Sequence, residues 1–372
     1  MINKKNVLIL TGKSGGGHLS IAQSFCYWLN KWGYNAQIYN IIPVLNKKIN
    51  DFLYHTPRTY KSLFKISNRY PLADIMTFSF HLDLERKLKK SVPNYSLTDI
   101  VISTHPLVHP QKGKIRIMIV PDPTVHATYK AVPKADYYFI FWPEALERAK
   151  KIKINNDRLI VTNPLARISF YRIGKLCQNE KNRQQIRQQL GISSDTKIGL
   201  VMAGSEWINR VKNYLDPLAS EFSQKKVLFV FLCGKNIKFM SQLSAKYSSL
   251  KIFKFLGWLD EEEVATWMNA ADFGIAFSLA QMSAEAGLSR LPIFIFSLMS
   301  GQEEKYRDVV ENRGVGFYLP GKPKIQVAVL KSLYPNIRNL LWDNLELWQD
   351  TLLKTPDQMR KMIDGLGRKS QS

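Results

Sequence analysis

Residues 11–20 read TGKSGGGHLS, and they follow a short apolar run, Val7–Leu10, and precede an apolar-rich stretch, Ile21–Leu29. A strand, a glycine-rich turn and a helix in this order commonly form a cradle for phosphate groups. The letters GKS suggest a Walker P-loop, but that motif needs a glycine at position 7, which here is a valine. The dinucleotide fingerprint G-x-G-x-x-G fails too, because position 20 is a serine. The unusual feature is His18, which directly follows the glycines where the helix should begin.

Apolar runs rich in β-branched residues recur along the chain and alternate with helical patterns, which predicts an α/β fold with parallel sheets. With 372 residues the chain has room for two domains, each with its own core. We expect an N-terminal domain over 1–167, a C-terminal domain over 168–335 and a helical extension over 336–372. The predicted strands are Val7–Leu10, Ala36–Asn40, Ile100–Ser103, Arg116–Val120, Tyr137–Phe141, Leu159–Val161, Ile198–Met202, Val227–Leu232, Ile252–Phe255, Phe273–Phe277 and Ile293–Phe296.

Composition places the protein among folded soluble chains, and its cysteines favour a reducing cytosol. Hydrophobic residues make up 45% of the sequence and charged residues 22%. The three cysteines, Cys26, Cys177 and Cys233, are widely spaced and form neither a disulfide framework nor a zinc pattern. We also expect no signal peptide and no transmembrane span, since no apolar run approaches the roughly 20 residues that a span requires.

The net charge of +23 is unevenly distributed. Residues 1–170 hold 25 Lys+Arg and 10 Asp+Glu, whereas residues 171–372 hold 28 and 20. This asymmetry predicts an anionic partner for the N-terminal half, either anionic lipid or nucleic acid. A general excess of surface lysine is the alternative.

The segment 46–90 breaks the α/β rhythm and combines basic with aromatic residues. Drawn as a helix, it places Arg58, Lys61, Lys65 and Arg69 on one face. Such a face suits contact with a membrane surface, and it also suits single-stranded nucleic acid or a solvated helix that packs on its own domain. We expect the membrane contact in preference to nucleic acid.

Polar residues follow the predicted strands of both halves, where open parallel sheets place their sites. In the N-terminal half these are His105 and His109 in ISTHPLVH, and Asp122 and His126 in MIVPDPTVHATY. Their spacing does not match a zinc site, so we expect an acceptor cleft or buried hydrogen-bonded histidines. In the C-terminal half the corresponding residues are Gly204, Ser205, Gly234, Lys235, Gly257, Glu285, Gln302 and Glu303.

The order of these pieces resembles one family of glycosyltransferases, which contains monogalactosyldiacylglycerol synthases and bacterial processive diacylglycerol glucosyltransferases. The likeness runs through roughly 5–318. The matching pieces are SGGGHLSIA, STHPLVH, PDPTVHATY, VTNPLAR, FLCGKN, FLGWLDEEEVATWMNAADFGI, SAEAGLSRLPIFI and GQEEKY.

The resemblance implies a GT-B fold, in which two Rossmann-like domains face a central cleft. It implies a UDP-hexose donor on the C-terminal domain and a diacylglycerol-type acceptor that reaches the N-terminal domain from the cytoplasmic face of the membrane. Enzymes of this family invert the anomeric carbon, and no metal or other cofactor is expected.

The resemblance also assigns roles to single residues. His18 matches the catalytic base, a task that suits imidazole near neutral pH. Gly16 and Gly17, with His105, Asp122 and His126, would line the acceptor side. Glu285 matches the acid that binds the ribose hydroxyls, Gln302 and Glu303 match the pair near the donor sugar, and Gly257 falls beside the uracil. Gly204, Ser205 and Gly234 would adjoin the diphosphate.

Two donor-side stretches depart from the family pattern. Residues 277–281 read FSLAQ where the family carries a glycine-rich loop, and the turn AGSEW at 203–207 is also poor in glycine. These departures leave three other hypotheses open. They are a catalytically weak or inactive relative that binds anionic lipid or a protein partner, another UDP-sugar enzyme on the GT-B fold such as an epimerase, and a nucleic-acid-binding protein.

Overall fold

The protein was analysed as a computed structural model, which describes residues 5–12, 16–41, 65–68, 70–92, 95–109, 112–131, 135–203, 211–298, 301 and 303–369. Contacts between Cα atoms divide the chain into two compact units. Unit one comprises 1–166, 300–305 and 354–372, and unit two comprises 167–299 and 306–353. The stretch predicted as one helical extension, 336–372, is therefore shared between the units. The assignment of an acceptor and a donor domain stays a prediction.

Unit one is built on a parallel sheet of six strands in the order β2-β1-β3-β4-β5-β6. Its central strands are almost entirely buried, which is why they read as continuous apolar runs without alternation. The strands are β1 Asn6–Thr11, β2 Asn35–Asn40, β3 Ile100–Ser103, β4 Ile115–Val120, β5 Tyr137–Ile140 and β6 Leu159–Val161. The helices are α1 Gly16–Lys31, α2 Tyr70–Ser91, α3 Thr128–Ala131, α4 Leu146–Lys151 and, from the end of the chain, α15 Thr355–Lys369.

Unit two repeats this architecture with a parallel sheet in the order β12-β11-β10-β7-β8-β9. Its strands are β7 Lys197–Met202, β8 Val227–Leu232, β9 Phe253–Leu256, β10 Phe273–Ala276, β11 Ile293–Ile295 and β12 Gly316–Tyr318. Its helices are α5 Ile168–Leu176, α6 Glu180–Gln189, α7 Lys212–Phe222, α8 Ile237–Lys246, α9 Glu261–Ala270, α10 Met282–Leu288, α11 Tyr306–Asn312, α12 Pro323–Leu333, α13 Ile337–Leu340 and α14 Trp342–Leu353.

All eleven predicted strands are present, with end points that differ by at most one residue. The strand β12 was missed because it has only three residues and begins at Gly316, a residue of low strand propensity. Gly316 is suited to this position, since a Cβ there would lie 2.0 Å from the carbonyl oxygen of Ile293 on β11. The helix α9, which follows Gly257, begins with a capping box between Asp260 and Glu263.

Candidate active site

The predicted acceptor-side residues of unit one come together at the carboxyl edge of its sheet. The strands β1, β3 and β4 are consecutive neighbours in the sheet order. His18 lies in the first turn of α1 after β1, His105 follows β3, and Asp122 and His126 follow β4. Gly16 and Gly17 are the first two residues of α1, and a Cβ on Gly17 would meet open space among the described residues. Parallel strands therefore place at one edge four polar side chains that are separated by up to 108 positions in the sequence.

His18 is held by one hydrogen bond that decides its tautomer. Its Nδ1 lies 2.6 Å from the carbonyl oxygen of Thr104, and because a carbonyl can only accept, Nδ1 carries the proton. In the neutral ring the lone pair then resides on Nε2, which is available as a base. Burial lowers the pKa of His18 below its ordinary value, while the negative charge of Asp122 acts in the opposite direction. His18 is thus neutral at pH 7, with a carboxylate nearby that favours the protonated ring.

His105 lies against His18 without competing for its proton. The two rings meet edge to face, with centroids 4.8 Å apart. The backbone N–H of Leu107 donates to Nδ1 of His105 at 3.2 Å, so His105 carries its proton on Nε2. Burial lowers the pKa of His105 well below its ordinary value, and positive charge on His18 or His126 lowers it further. A proton that reaches this pair therefore resides on His18.

His126 connects the cluster to the segment 65–68. The N–H of Thr128 donates to its Nδ1 at 3.2 Å, which leaves the proton on Nε2, 3.1 Å from the hydroxyl oxygen of Ser67. The side chain of Asn68 accepts from the N–H of Ala127 at 2.7 Å. Residues 65–67 are helical and Lys65 is exposed, whereas Arg58, Lys61 and Arg69, the other predicted membrane contacts, lie outside the described residues.

On the donor side, the structure brings Gly234 and Gly257 together. They follow the neighbouring strands β8 and β9, and a Cβ on Gly257 would lie 4.0 Å from the carbonyl oxygen of Gly234. Gly234 has a φ of 58°, a conformation that favours glycine. Beside them the sequence reasoning missed an exposed pair, in which Nζ of Lys235 lies 4.6 Å from the ring centre of Trp258. The sequence feature that could have indicated this pair is Trp258, a large apolar residue between Gly257 and an acidic stretch. Its side chain is 63% exposed.

Glu285, the predicted ribose-binding acid, forms a two-pronged ion pair with Arg167. Arg167 donates from Nε to Oε1 at 2.7 Å and from Nη2 to Oε2 at 3.0 Å. The Glu285 side chain is only 4% exposed, and burial raises its pKa while Arg167 opposes that rise. Each carboxylate oxygen can still accept a second hydrogen bond, as a ribose diol would require. Arg167 lies in VTNPLAR, one of the stretches that carry the family resemblance.

The stretch 277–281 lies where the resemblance predicts a glycine-rich loop, and its two large side chains do not project into solvent. Phe277 and Leu279 are each 1% exposed, and Phe277 packs edge to face on Tyr214 with ring centroids 4.8 Å apart. Ala280 adopts a φ of 30°, in the region that favours glycine. The loop therefore keeps one glycine-like backbone conformation at a residue that carries a Cβ.

Four further predicted residues contribute little or nothing to the described site. Gly204, Ser205 and Gln302 lie outside the described residues, and Glu303 is buried at 2% exposure within the segment 300–305 of unit one. Within the described ranges no group of three or more His, Cys, Asp or Glu side chains is arranged to hold a metal ion.

One exposed apolar row on α2 was not singled out from the sequence. Ile75, Phe78 and Leu82 follow one another at spacings of three and four and remain 66%, 66% and 55% exposed. Exposed cations, Arg86, Lys89 and Lys90, follow on the last turns of the same helix. Among the described helices, none is both long and apolar enough to cross a membrane. The spacing of these three residues by three and four positions is the sequence signal that indicates such a row.

The two six-stranded parallel sheets with their flanking helices place the protein in the GT-B fold class. Two solved structures share it over nearly the whole chain. A glycosyltransferase of Rickettsia africae aligns with a TM-score of 0.59 at 12% identity, covering 100% of this chain and 99% of its own. The UDP-GlcNAc 2-epimerase of Neisseria meningitidis, solved with UDP-GlcNAc, aligns with a TM-score of 0.59 at 11% identity, covering 96% and 99%.

Sequence relatives make the resemblance specific. The chain is 22% identical over 375 residues to a processive diacylglycerol β-glucosyltransferase of Bacillus licheniformis, covering 92% of this chain and 93% of the relative. It is 23% identical over 401 residues to the chloroplastic monogalactosyldiacylglycerol synthase of Spinacia oleracea, covering 97% and 72%. No protein-family model matches the sequence. The similarity to these glycolipid-forming glycosyltransferases, predicted from eight short stretches, is confirmed.

Proposed function

We propose that this protein is an inverting glycosyltransferase that transfers a hexose from a UDP-sugar to the hydroxyl of a diacylglycerol-type lipid at a membrane surface. The observation that carries the proposal is the similarity of more than nine-tenths of the chain to enzymes named for that reaction. The UDP-GlcNAc complex of the structurally similar epimerase supports a UDP-sugar as the donor.

The geometry of His18 supports its role as the general base. The acceptor hydroxyl attacks the anomeric carbon, the bond from that carbon to the diphosphate oxygen breaks, and the hydroxyl proton passes to Nε2. The bond from Nδ1 to Thr104 keeps Nε2 free of its own proton, and Asp122 stabilises the imidazolium that results. UDP leaves as an anion, and we expect backbone N–H groups near Gly204, Ser205 and Gly234 to stabilise it without a metal.

The exposed face of α2 supports action at a membrane. The apolar row Ile75, Phe78 and Leu82 would enter the lipid interface, and Arg86, Lys89 and Lys90 would meet anionic headgroups. Lys65 precedes by two positions Ser67, which hydrogen-bonds His126, and it would lie on the same side of the reaction as the acceptor lipid. We place the protein at the cytoplasmic face, attached peripherally.

The test is transfer from UDP-glucose and UDP-galactose to diacylglycerol in anionic liposomes, with the purified full chain and a His18→Ala variant. We expect glycolipid product with one donor, and a loss of about 10³-fold in the variant, since general base catalysis contributes 10²–10⁴-fold. The described residues include no exposed histidine that could serve as a control, so circular dichroism checks that the variant folds.

Two other outcomes would point to the competing hypotheses. Liposome binding without turnover of any UDP-sugar would favour an inactive lipid-binding relative, for which the loop at 277–281 is the specific observation. Conversion of UDP-GlcNAc in solution without lipid would favour an epimerase, which the structural likeness to the Neisseria enzyme suggests.

A further inference from the structure

Unit two contains a polar cavity at the edge of its sheet opposite to the proposed donor site. We call it the basic pocket, and its volume is about 420 Å³. Lys197 opens β7 and Asp272 directly precedes the neighbouring strand β10, so both line the pocket from the amino ends of their strands. The predicted donor residues Gly234 and Gly257 instead follow the carboxyl ends of β8 and β9. The pocket is therefore separate from the chemistry proposed above.

Cations outnumber carboxylates in the lining of the basic pocket. Four basic side chains line it, and two carboxylates, Glu180 and Asp272, face them. The basic residues are Arg183, Arg187, Lys197 and Arg338. The three arginines are only 4%, 2% and 9% exposed, which is uncommon for guanidinium groups without matched counter-charges.

Contacts within the fold neutralise a part of this positive charge. Arg183 and Arg187 each donate to carbonyl oxygens at the C-terminal end of α9 and to a carboxylate oxygen of Asp272 at 3.1 Å. The end of a helix contributes about half a negative charge. With Glu180 and Asp272 ionised, the pocket keeps an excess of more than one positive charge.

One arginine N–H group of the lining also lacks a hydrogen-bond acceptor. The Nε of Arg187 is buried and has no hydrogen-bond partner among the residues that the structure describes. Arg338 donates from Nη1 to the carbonyl oxygen of Ala271 at 3.0 Å and lies 5.5 Å from the ring centre of Trp342. Burial, together with the charge of Arg183, lowers the pKa of Arg338 to about 9, although Asp272 and Glu180 oppose the shift. An anion in the pocket would stabilise the charged form of Arg338 and so raise its pKa again.

We propose that the basic pocket binds an oxyanion of the phosphate class, held by Arg338 and Lys197 and attracted by the positive charge of Arg183 and Arg187. Planar guanidinium groups match the oxygens of phosphate, and the partly exposed Lys197, at 43%, supplies a point charge at the entrance. The ligand is either a free phosphate ester or the headgroup of an anionic lipid. The proposal does not depend on the glycosyltransferase activity.

Thermal unfolding of the full chain tests the proposal, with inorganic phosphate titrated at constant ionic strength set by KCl. We expect the melting temperature of the wild type to rise with phosphate, because a ligand that binds only the folded state stabilises it. Lys197→Gln should weaken the apparent affinity about tenfold, the loss of one charge-assisted contact. Arg338→Gln should raise the melting temperature without phosphate and abolish the response. Arg172→Gln, which removes an exposed cation paired with Glu262 in the same unit, is the matched control.

The proposal is overturned if phosphate has no effect beyond that of KCl, or if Lys197→Gln and Arg338→Gln respond as the wild type does, since phosphate would then bind elsewhere. Sedimentation with phosphatidic acid vesicles distinguishes the two sources. Vesicle binding that falls in Lys197→Gln and not in Arg172→Gln assigns a lipid headgroup, whereas a phosphate response alone assigns a soluble ester.

Discussion

Arg167 and Glu285 are joined by two parallel hydrogen bonds, of 2.7 and 3.0 Å, although 118 positions separate them in the sequence. Arg167 also lies over the ring of Phe170 at 5.0 Å, so its side chain is fixed on both sides. Glu285 is thereby held in one orientation before any ligand arrives. A preorganised carboxylate of this kind binds a diol with little further loss of conformational entropy.

The first prediction concerns this pair. Glu285→Ala leaves Arg167 without its partner, and we expect a loss of about 3 kcal/mol in the free energy of unfolding, the lower end for a broken buried pair because Arg167 stays 21% exposed. Glu285→Gln keeps the size and one acceptor and should cost less. Urea titration measures both losses. The companion Arg172→Ala, at an exposed ion pair, should change stability by less than about 1 kcal/mol. Equal losses at the two pairs would contradict this account.

The second prediction is a pH profile. His18 must be neutral to act as a base, and its pKa lies below the ordinary 6.5, so kcat/KM for transfer should rise through a midpoint below pH 6.5 and then stay level. Asp122 raises the pKa of His18 and stabilises its imidazolium form, so Asp122→Asn should move the midpoint to lower pH and should also lower the rate on the plateau at pH 8. Asp157→Asn, at an exposed carboxylate of the same unit, should leave the midpoint in place. An acidic limb that does not move in Asp122→Asn would refute the coupling.

The third prediction is membrane binding through α2. Replacing Ile75, Phe78 and Leu82 by serine should weaken binding to anionic vesicles by about 100-fold, since each side chain would bury apolar area worth about 1 kcal/mol. The melting temperature should hardly change, because all three are more than half exposed. Vesicle sedimentation gives the affinities. The serine triple at Ile237, Ile325 and Leu347, equally exposed residues of unit two, is the control and should bind normally.

The sequence predicted most of the fold because buried parallel strands are uninterrupted apolar runs, which stand out without any alignment. β12 escaped notice because three residues beginning with a glycine give almost no periodic signal. The acceptor-side cluster was also accessible, since His18, His105, Asp122 and His126 each follow a strand end. The tautomer of His18 could not be predicted from the sequence, because it depends on a hydrogen bond to the carbonyl oxygen of Thr104, which is 86 positions away.

Two other features could not be predicted from the sequence, because they depend on contacts between residues far apart in the chain. Arg183 and Arg187 read as part of a polar, basic segment, yet both are buried against the C-terminal end of α9, about 85 positions further along the chain. The residues at 277–281 were identified from the sequence only as a departure from a glycine-rich loop, because the burial of Phe277 depends on aromatic rings of other elements, Tyr214 and Phe296. Side-chain direction at a loop follows from packing, which spacing alone does not encode.

The last prediction tests the backbone of that loop. Ala280 has a φ of 30°, and the hydroxyl and the N–H of Ser283 both donate to its carbonyl oxygen, at 2.7 and 3.2 Å, so the turn is held in place. A Cβ in this conformation costs about 1–2 kcal/mol, while the added freedom of an unfolded glycine costs 0.5–1 kcal/mol. Ala280→Gly should therefore leave the free energy of unfolding unchanged or raise it by up to about 1 kcal/mol. Ala284→Gly, the same chemical change inside α10, should lower it by about 1 kcal/mol. Urea titration of the two variants side by side decides the matter, because a loss at Ala280 equal to that at Ala284 would mean that the loop imposes no glycine-like conformation.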